Sequence, residues 1–216
     1  MTRLAKILIA GTALLTLSPS LACAQTSTDG SVVLNGQIDL QQSSSRVNTT
    51  VTNVAGNVTG SSASVGNNLE VVTMNDANVN NSQYVGQVSI AADQNATVTN
   101  ANGTVSLQSQ AICNAADVST DPHTTAVVSD QECQANDPSS LLNAKVVNAG
   151  DDVTLASQAV GNSFSMDTNA AYMPVQNQQL NNSAIASTVN TTVKNVNGNV
   201  SVNSTAIGNN AQIVQY

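Results

Sequence analysis

Aliphatic and polar positions alternate along much of this chain. In VNTTVKNVNGNVSVNSTAIGNN, from Val189 to Asn210, Val200, Val202, Ser204 and Ala206 fall on one side of an extended backbone, while Ser201, Asn203 and Thr205 fall on the other. Val58, Gly60, Ser62 and Ser64 likewise oppose Thr59 and Ser61. A period of two marks a half-buried β-strand. Val and Thr, branched at Cβ, suit a pleated surface better than a helix. Gly and Asn punctuate the strands at Ala55-Gly56-Asn57, Asn102-Gly103-Thr104, Asn197-Gly198-Asn199 and Gly208-Asn209-Asn210, where residues tolerant of positive φ make tight turns. No segment beyond residue 24 carries a 3.6-residue apolar stripe. An all-β chain is expected.

The strands repeat on a longer period. Asn48, Asn95, Asn143 and Asn190 are spaced by 47, 48 and 47 residues. Identical spacing holds for Asn53, Asn100, Asn148 and Asn195, and for Asn67, Asn114, Asn162 and Asn209. It also relates Val51 to Val98, Val146 and Val193, Val58 to Val105, Val153 and Val200, and Ser62 to Ser109, Ser157 and Ser204. Four units of about 47 residues thus span Gln25 to Ile213, a period that marks solenoids or arrays. A weaker rhythm runs inside each unit, as GQIDL from Gly36, GNVTG from Gly56, GQVSI from Gly86, GTVSL from Gly103, DDVTL from Asp151 and GNVSV from Gly198. It suggests that each unit holds two strand-turn-strand rungs of about 24 residues. The predicted fold is a β-solenoid.

Stacked rungs give the asparagines a use. Equivalent side chains of successive coils lie about 4.8 Å apart, so each Asn can hydrogen-bond to the next. Asn67, Asn114, Asn162 and Asn209 are the foremost candidates for such a ladder, with the Asn48 and Asn53 columns beside them. The alternative is that Asn simply forms the turn at each corner. Both readings are structural. The solenoid ends are open to pairing with another chain, and nothing after Ile213 reads as a cap.

Targeting comes from the first 24 residues. Arg3 and Lys6 precede an apolar run from Ile7 to Leu17, and Ala22-Cys23-Ala24 supplies a small-residue cleavage site, as in a secretory signal. An apolar core this short does not span a bilayer. Ser20 and Leu21, three and two residues before Cys23, are the wrong way round for lipidation of that cysteine, so Gln25 is the expected mature N-terminus. The remainder, residues 25–216, is sized as one domain. It keeps three basic residues, Arg46, Lys145 and Lys194, against thirteen acidic ones, which excludes binding to a phosphate backbone. Frequent Val and Ile with few charges argue against disorder.

Chemistry finds little purchase. Cys113 and Cys133 remain after the signal, an even pair in an oxidising compartment, and read as a structural disulfide closing a loop near 113–133. Neither C-x-x-C nor a helix start favours redox work. His123 is the only histidine and stands in a polar loop after Asp121-Pro122. Asp151-Asp152 replaces the Gly-Asn of other units, without the Gly-Gly-x-Gly-x-Asp pattern of calcium-binding solenoids. No catalytic residue, metal site or cofactor is predicted. A Thr face like that of ice-binding solenoids is broken where Thr50 and Thr97 give way to Lys145. A membrane barrel is disfavoured, because Val214, Gln212 and Asn210, counted back by twos from Tyr216, are not a lipid-facing series.

Units ending in Ala-x-Gly-Asn (Ala159-Val160-Gly161-Asn162 and Ala206-Ile207-Gly208-Asn209), behind a bacterial-type signal and among Ser/Gln/Asn-rich strands, carry a resemblance. The chain resembles the holdfast anchor proteins of stalked alphaproteobacteria and, more distantly, is similar to curlin repeats. The resemblance implies a secreted protein of the cell surface or outer membrane that fixes adhesive polysaccharide, with other anchor proteins as partners. The curlin likeness implies a fibre subunit that self-associates through its ends. The strict Ser and Gln positions of curlin are only partly present, and the unit is double length. Two alternatives therefore stand beside a non-enzymatic anchor: a curli-like fibre subunit, and a carbohydrate-active solenoid enzyme with paired carboxylates in a groove. A periplasmic address is the alternative to the surface.

Overall fold

A computed structural model of the chain describes residues 23–27, 30–72, 77–120, 126–170 and 172–216. Residues 1–22, which hold most of the predicted signal, and the loop containing His123 lie outside them. Every regular element among the described residues is a β-strand. In chain order these are β1 (Cys23–Ser27), β2 (Gly30–Asp39), β3 (Ser43–Val54), β4 (Val58–Val72), β5 (Ala77–Val85), β6 (Ile90–Ala101) and β7 (Val105–Thr120). There follow β8 (Ala126–Cys133), β9 (Ser139–Ala149), β10 (Val153–Thr168), β11 (Val175–Asn181), β12 (Ala186–Val196) and β13 (Val200–Gln215).

They wind into a β-solenoid with three parallel sheets. Sheet 1 stacks β3, β6, β9 and β12, sheet 2 stacks β4, β7, β10 and β13, and sheet 3 stacks β2, β5, β8 and β11, with β1 antiparallel on β2. The chain visits sheets 1, 2 and 3 in turn. The next coil then lands one strand higher, so Val58 pairs with Val105, Val105 with Val153, and Val153 with Val200.

One 47-residue unit is therefore one coil of three strands, and the expected division into two rungs is corrected. Gly56 precedes β4 and Gly86 precedes β6, so these copies of the glycine-valine motif mark two corners of a single coil, while the copy from Gly36 falls within β2. Like corners use like turn residues without lying on top of each other. Stacking occurs only at the full repeat, where the backbone pairing sits.

The interior alternates apolar and amide zones. Val98, Leu107, Leu142, Val146 and Leu155 fill the wedge between sheets 1 and 2. Val79, Val118, Val127, Phe164 and Met166 fill the space between the far half of sheet 2 and sheet 3. The long strands of sheet 2 bend between these zones. The pairing Val65 to Ile112 resumes at Asn67 to Asn114, skipping Gly66 and Cys113, and the buried side chains change from Ser62 and Ser64 to Asn67 and Val71. Every strand of the sheet skips the same position with the register unchanged, so the change of facing parity is a corner shared by the whole stack, leading toward sheet 3.

At this bend Cys113 bonds to Cys133 at the end of β8, with a Cα–Cα distance of 6.0 Å. The coil below has Gly66 and Val85 at these places, and the coil above has Gly161 and Asn181. A Cβ on Gly66 would lie 2.6 Å from the Cys113 carbonyl oxygen and 2.9 Å from Val85. Where the neighbouring coils pass backbone close to side chain, this coil is joined covalently. Closing a loop of this length stabilises by about 3 kcal/mol in the chain-entropy account.

The last coil is open. Val200, Val202 and Ile213 are 48%, 48% and 51% exposed, whereas Val153, Leu155 and Met166 one coil earlier are fully buried.

Candidate binding face

Four amide columns run the length of the solenoid. On the inside of sheet 2, Asn67 Nδ2 donates to Asn114 Oδ1 at 2.9 Å, Asn114 to Asn162 at 2.8 Å, and Asn162 to Asn209 at 2.8 Å. The same amide groups donate across to sheet 3, to the carbonyls of Tyr84, Glu132 and Leu180. A second buried column went unread in the sequence. Gln83 Nε2 donates to Gln37 Oε1 at 2.9 Å, Gln131 to Gln83 and Gln179 to Gln131 at 2.8 Å, and each also reaches a carbonyl of sheet 2. Its spacing of 46, 48 and 48 residues was the available signal.

The two other asparagine columns lie on the outside of sheet 1. Asn95 donates to Asn48 at 2.9 Å, Asn143 to Asn95 at 2.7 Å and Asn190 to Asn143 at 3.0 Å. Asn100 donates to Asn53 and Asn148 to Asn100 at 2.7 Å, and Asn195 to Asn148 at 2.9 Å. This column also holds positive φ, from 54° at Asn195 to 58° at Asn148. Ladder and turn former, posed as alternatives, here describe the same residues.

The outer face of sheet 1 is a regular polar array. Beside the Asn48 column runs Thr50, Thr97, Lys145 and Thr192, and beside that Thr52, Thr99, Val147 and Lys194. On the other flank Arg46 Nη2 bonds Asp93 Oδ2 at 2.8 Å, one coil above. An open groove follows the Asn and Thr columns across all four coils, with Lys145 in its wall. Adjacent columns offer amide and hydroxyl groups at about 4.8 Å along the axis and about 7 Å across it. Such spacing suits a long polymer rich in hydroxyl groups better than a small molecule in an enclosed site.

Other singled-out residues do corner work. Asp152 Oδ1 accepts the backbone N–H of Asn199 at 2.7 Å, as Asn57 Oδ1 accepts that of Thr104 at 3.0 Å two coils lower in the stack. The Asp151-Asp152 pair thus belongs to the β9–β10 turn. Among the described residues no three His, Cys, Asp or Glu side chains gather as they would around a metal ion.

A parallel solenoid carrying polar columns on its outer face defines a class of rigid, repetitive scaffold proteins. The family model for holdfast attachment protein D matches residues 20–216, and the chain belongs to that family. No curated protein and no solved structure matches it. The family description concerns attachment, and places the chain among structural components of the cell surface.

Proposed function

We propose that the protein is exported behind a cleaved signal of residues 1–24 and holds adhesive polysaccharide at the outer membrane, without catalysis. Residues 25–216 then act as one rigid rod. The observation that carries this reading is the groove of stacked Asn and Thr side chains on sheet 1, in a chain of the holdfast attachment family. Backbone hydrogen bonds to the coils above and below fix the position of each groove residue. A polymer can therefore dock without ordering the protein first. A strain lacking the gene is expected to make adhesive polysaccharide and shed it into the medium, with mature protein in the parent beginning at Gln25. Loss of polysaccharide synthesis itself would favour an enzyme instead.

A second reading, self-association into a fibre, has support from the direction of the ladders. The Asn67 column donates toward the last coil, while the Gln37, Asn48 and Asn53 columns donate toward the first. Head-to-tail stacking of a second copy continues all four donor to acceptor. Head-to-head stacking sets like groups against each other. Concentration-dependent sedimentation, suppressed by Val202→Lys in the open coil, is the expected sign of this assembly. A monomer at all concentrations rules it out.

A further inference from the structure

The charges of this acidic protein are sorted by face. Arg46, Lys145 and Lys194 all stand on strands of sheet 1, at positions that alternate with its buried residues. Asp130 and Glu132 point out from sheet 3, and Glu70, Asp117 and Asp167 from sheet 2. Among the described residues the strands of sheet 1 carry one carboxylate, Asp93, and Arg46 already covers it. Lys145 and Lys194 have no carboxylate partner within ion-pair distance among the described residues. Lys145 lines the groove, and Lys194 stands one coil and one column from it on the same outer face, about 8 Å between backbones by strand geometry.

We propose that sheet 1 selects an anionic polysaccharide, a chain bearing carboxylate groups such as uronic acids, through Lys145 and Lys194. This rests on the anchoring role proposed above and narrows its ligand. Asn48, Asn95, Asn143 and Asn190 present the amide edge to hydroxyl groups of the polymer, and the two ammonium groups pair with acid groups along it. Negative charge on the other two sheets disfavours the same polymer there, so attraction and repulsion together orient the chain on one face. The column that would otherwise be Thr throughout has Lys at 145, and the next has Lys at 194, where an exposed strand position needs no cation for folding.

The test uses the mature chain with alginate as the uronate polymer and dextran as the neutral one, followed by retention in affinity electrophoresis. Alginate is expected to retard the protein and dextran is not. The retention falls as salt is raised past a Debye length of about 8 Å. Lys145→Gln with Lys194→Gln weakens it about fivefold or more, since each exposed ion pair contributes modestly. A control, Thr59→Asp with Ser201→Asp on the outside of sheet 2, changes net charge by the same amount and is expected to keep the retention. Equal loss in the control overturns selection by this face and leaves only bulk charge. Binding to dextran as strongly as to alginate, unmoved by the lysine changes, overturns charge selection while leaving the anchor intact. Binding to neither polymer, with no release of polysaccharide from the deletion strain, overturns both.

Discussion

Two asparagine ladders of the same period and nearly the same bond lengths occupy opposite environments. Asn67, Asn114, Asn162 and Asn209 line the inside of the sheet 2 bend, whereas Asn48, Asn95, Asn143 and Asn190 face outward on sheet 1. Inside, the amides of Asn67, Asn114 and Asn162 are buried and also hold carbonyls of sheet 3, so the column joins two sheets out of reach of solvent up to the exposed Asn209. Outside, water can replace any bond that is lost. A hydrogen bond contributes little net when water is the alternative, and its absence costs much when the partner stays buried. The inner column therefore specifies the fold, and the outer one is free to serve as a surface.

The largest effect is expected at Asn114. It is fully buried, accepts from Asn67 and donates to Asn162 and to the Glu132 carbonyl. Asn114→Leu strands at least two buried groups and is expected to destabilise by about 3 kcal/mol, read from the urea midpoint. Sparing stability there would mean that the inner ladder is ornamental.

The next contrast is between two glutamines that are both fully buried. Gln131 is bonded to Gln83 and to the Ser163 carbonyl and accepts from Gln179. Gln94 stands in the column Val47, Gln94, Leu142 and Val189 with neither amide atom paired. Gln131→Leu is expected to destabilise by about 2 kcal/mol, and Gln94→Leu to stabilise by about 1 kcal/mol, because one change orphans partners and the other removes an orphan. Thermal melts of both variants with opposite shifts satisfy this; shifts of one sign contradict it.

Smaller effects separate the two duties of the Asn53 column. Asn100→Ala loses two exposed bonds, one to Asn53 and one from Asn148, and forces a β-carbon into the left-handed region, with an expected cost of about 1–2 kcal/mol. Asn100→Gly loses the same two bonds and fits φ of 55°, so it is expected to cost less. If Gly costs as much as Ala or more, left-handed backbone is not what the asparagine supplies at this corner. Least of all, Asn95→Ala on the groove is expected to change stability by under about 0.5 kcal/mol. An equilibrium denaturation series ranks all of these on one scale.

How much of this was legible follows from what repeats strictly. The alternation at Val200 to Ala206 and the spacing of Asn67, Asn114, Asn162 and Asn209 contain the strands, the parallel stack and the inner ladder, because every coil obeys them. The three-strand coil was hidden because its turn motif marks only two corners, which made one turn of the solenoid look like two. Gln37, Gln83, Gln131 and Gln179 break the repeat because their first interval is 46 residues, set by connections one residue shorter both after β2 and before β5. The sorting of Arg46, Lys145 and Lys194 onto one face depends on which corners close the coil. Nothing local in their flanking residues carries it.

The most direct test of the stacking itself is the distance between neighbouring coils. Nitroxide labels on Thr50→Cys and Thr97→Cys, which pair across β3 and β6, probe it by electron spin resonance. One coil per unit sets their backbones about 4.8 Å apart and gives strong spin exchange. Two rungs per unit would set them about 10 Å apart, with dipolar broadening and no exchange, and that spectrum would contradict the structure and the binding face built on it.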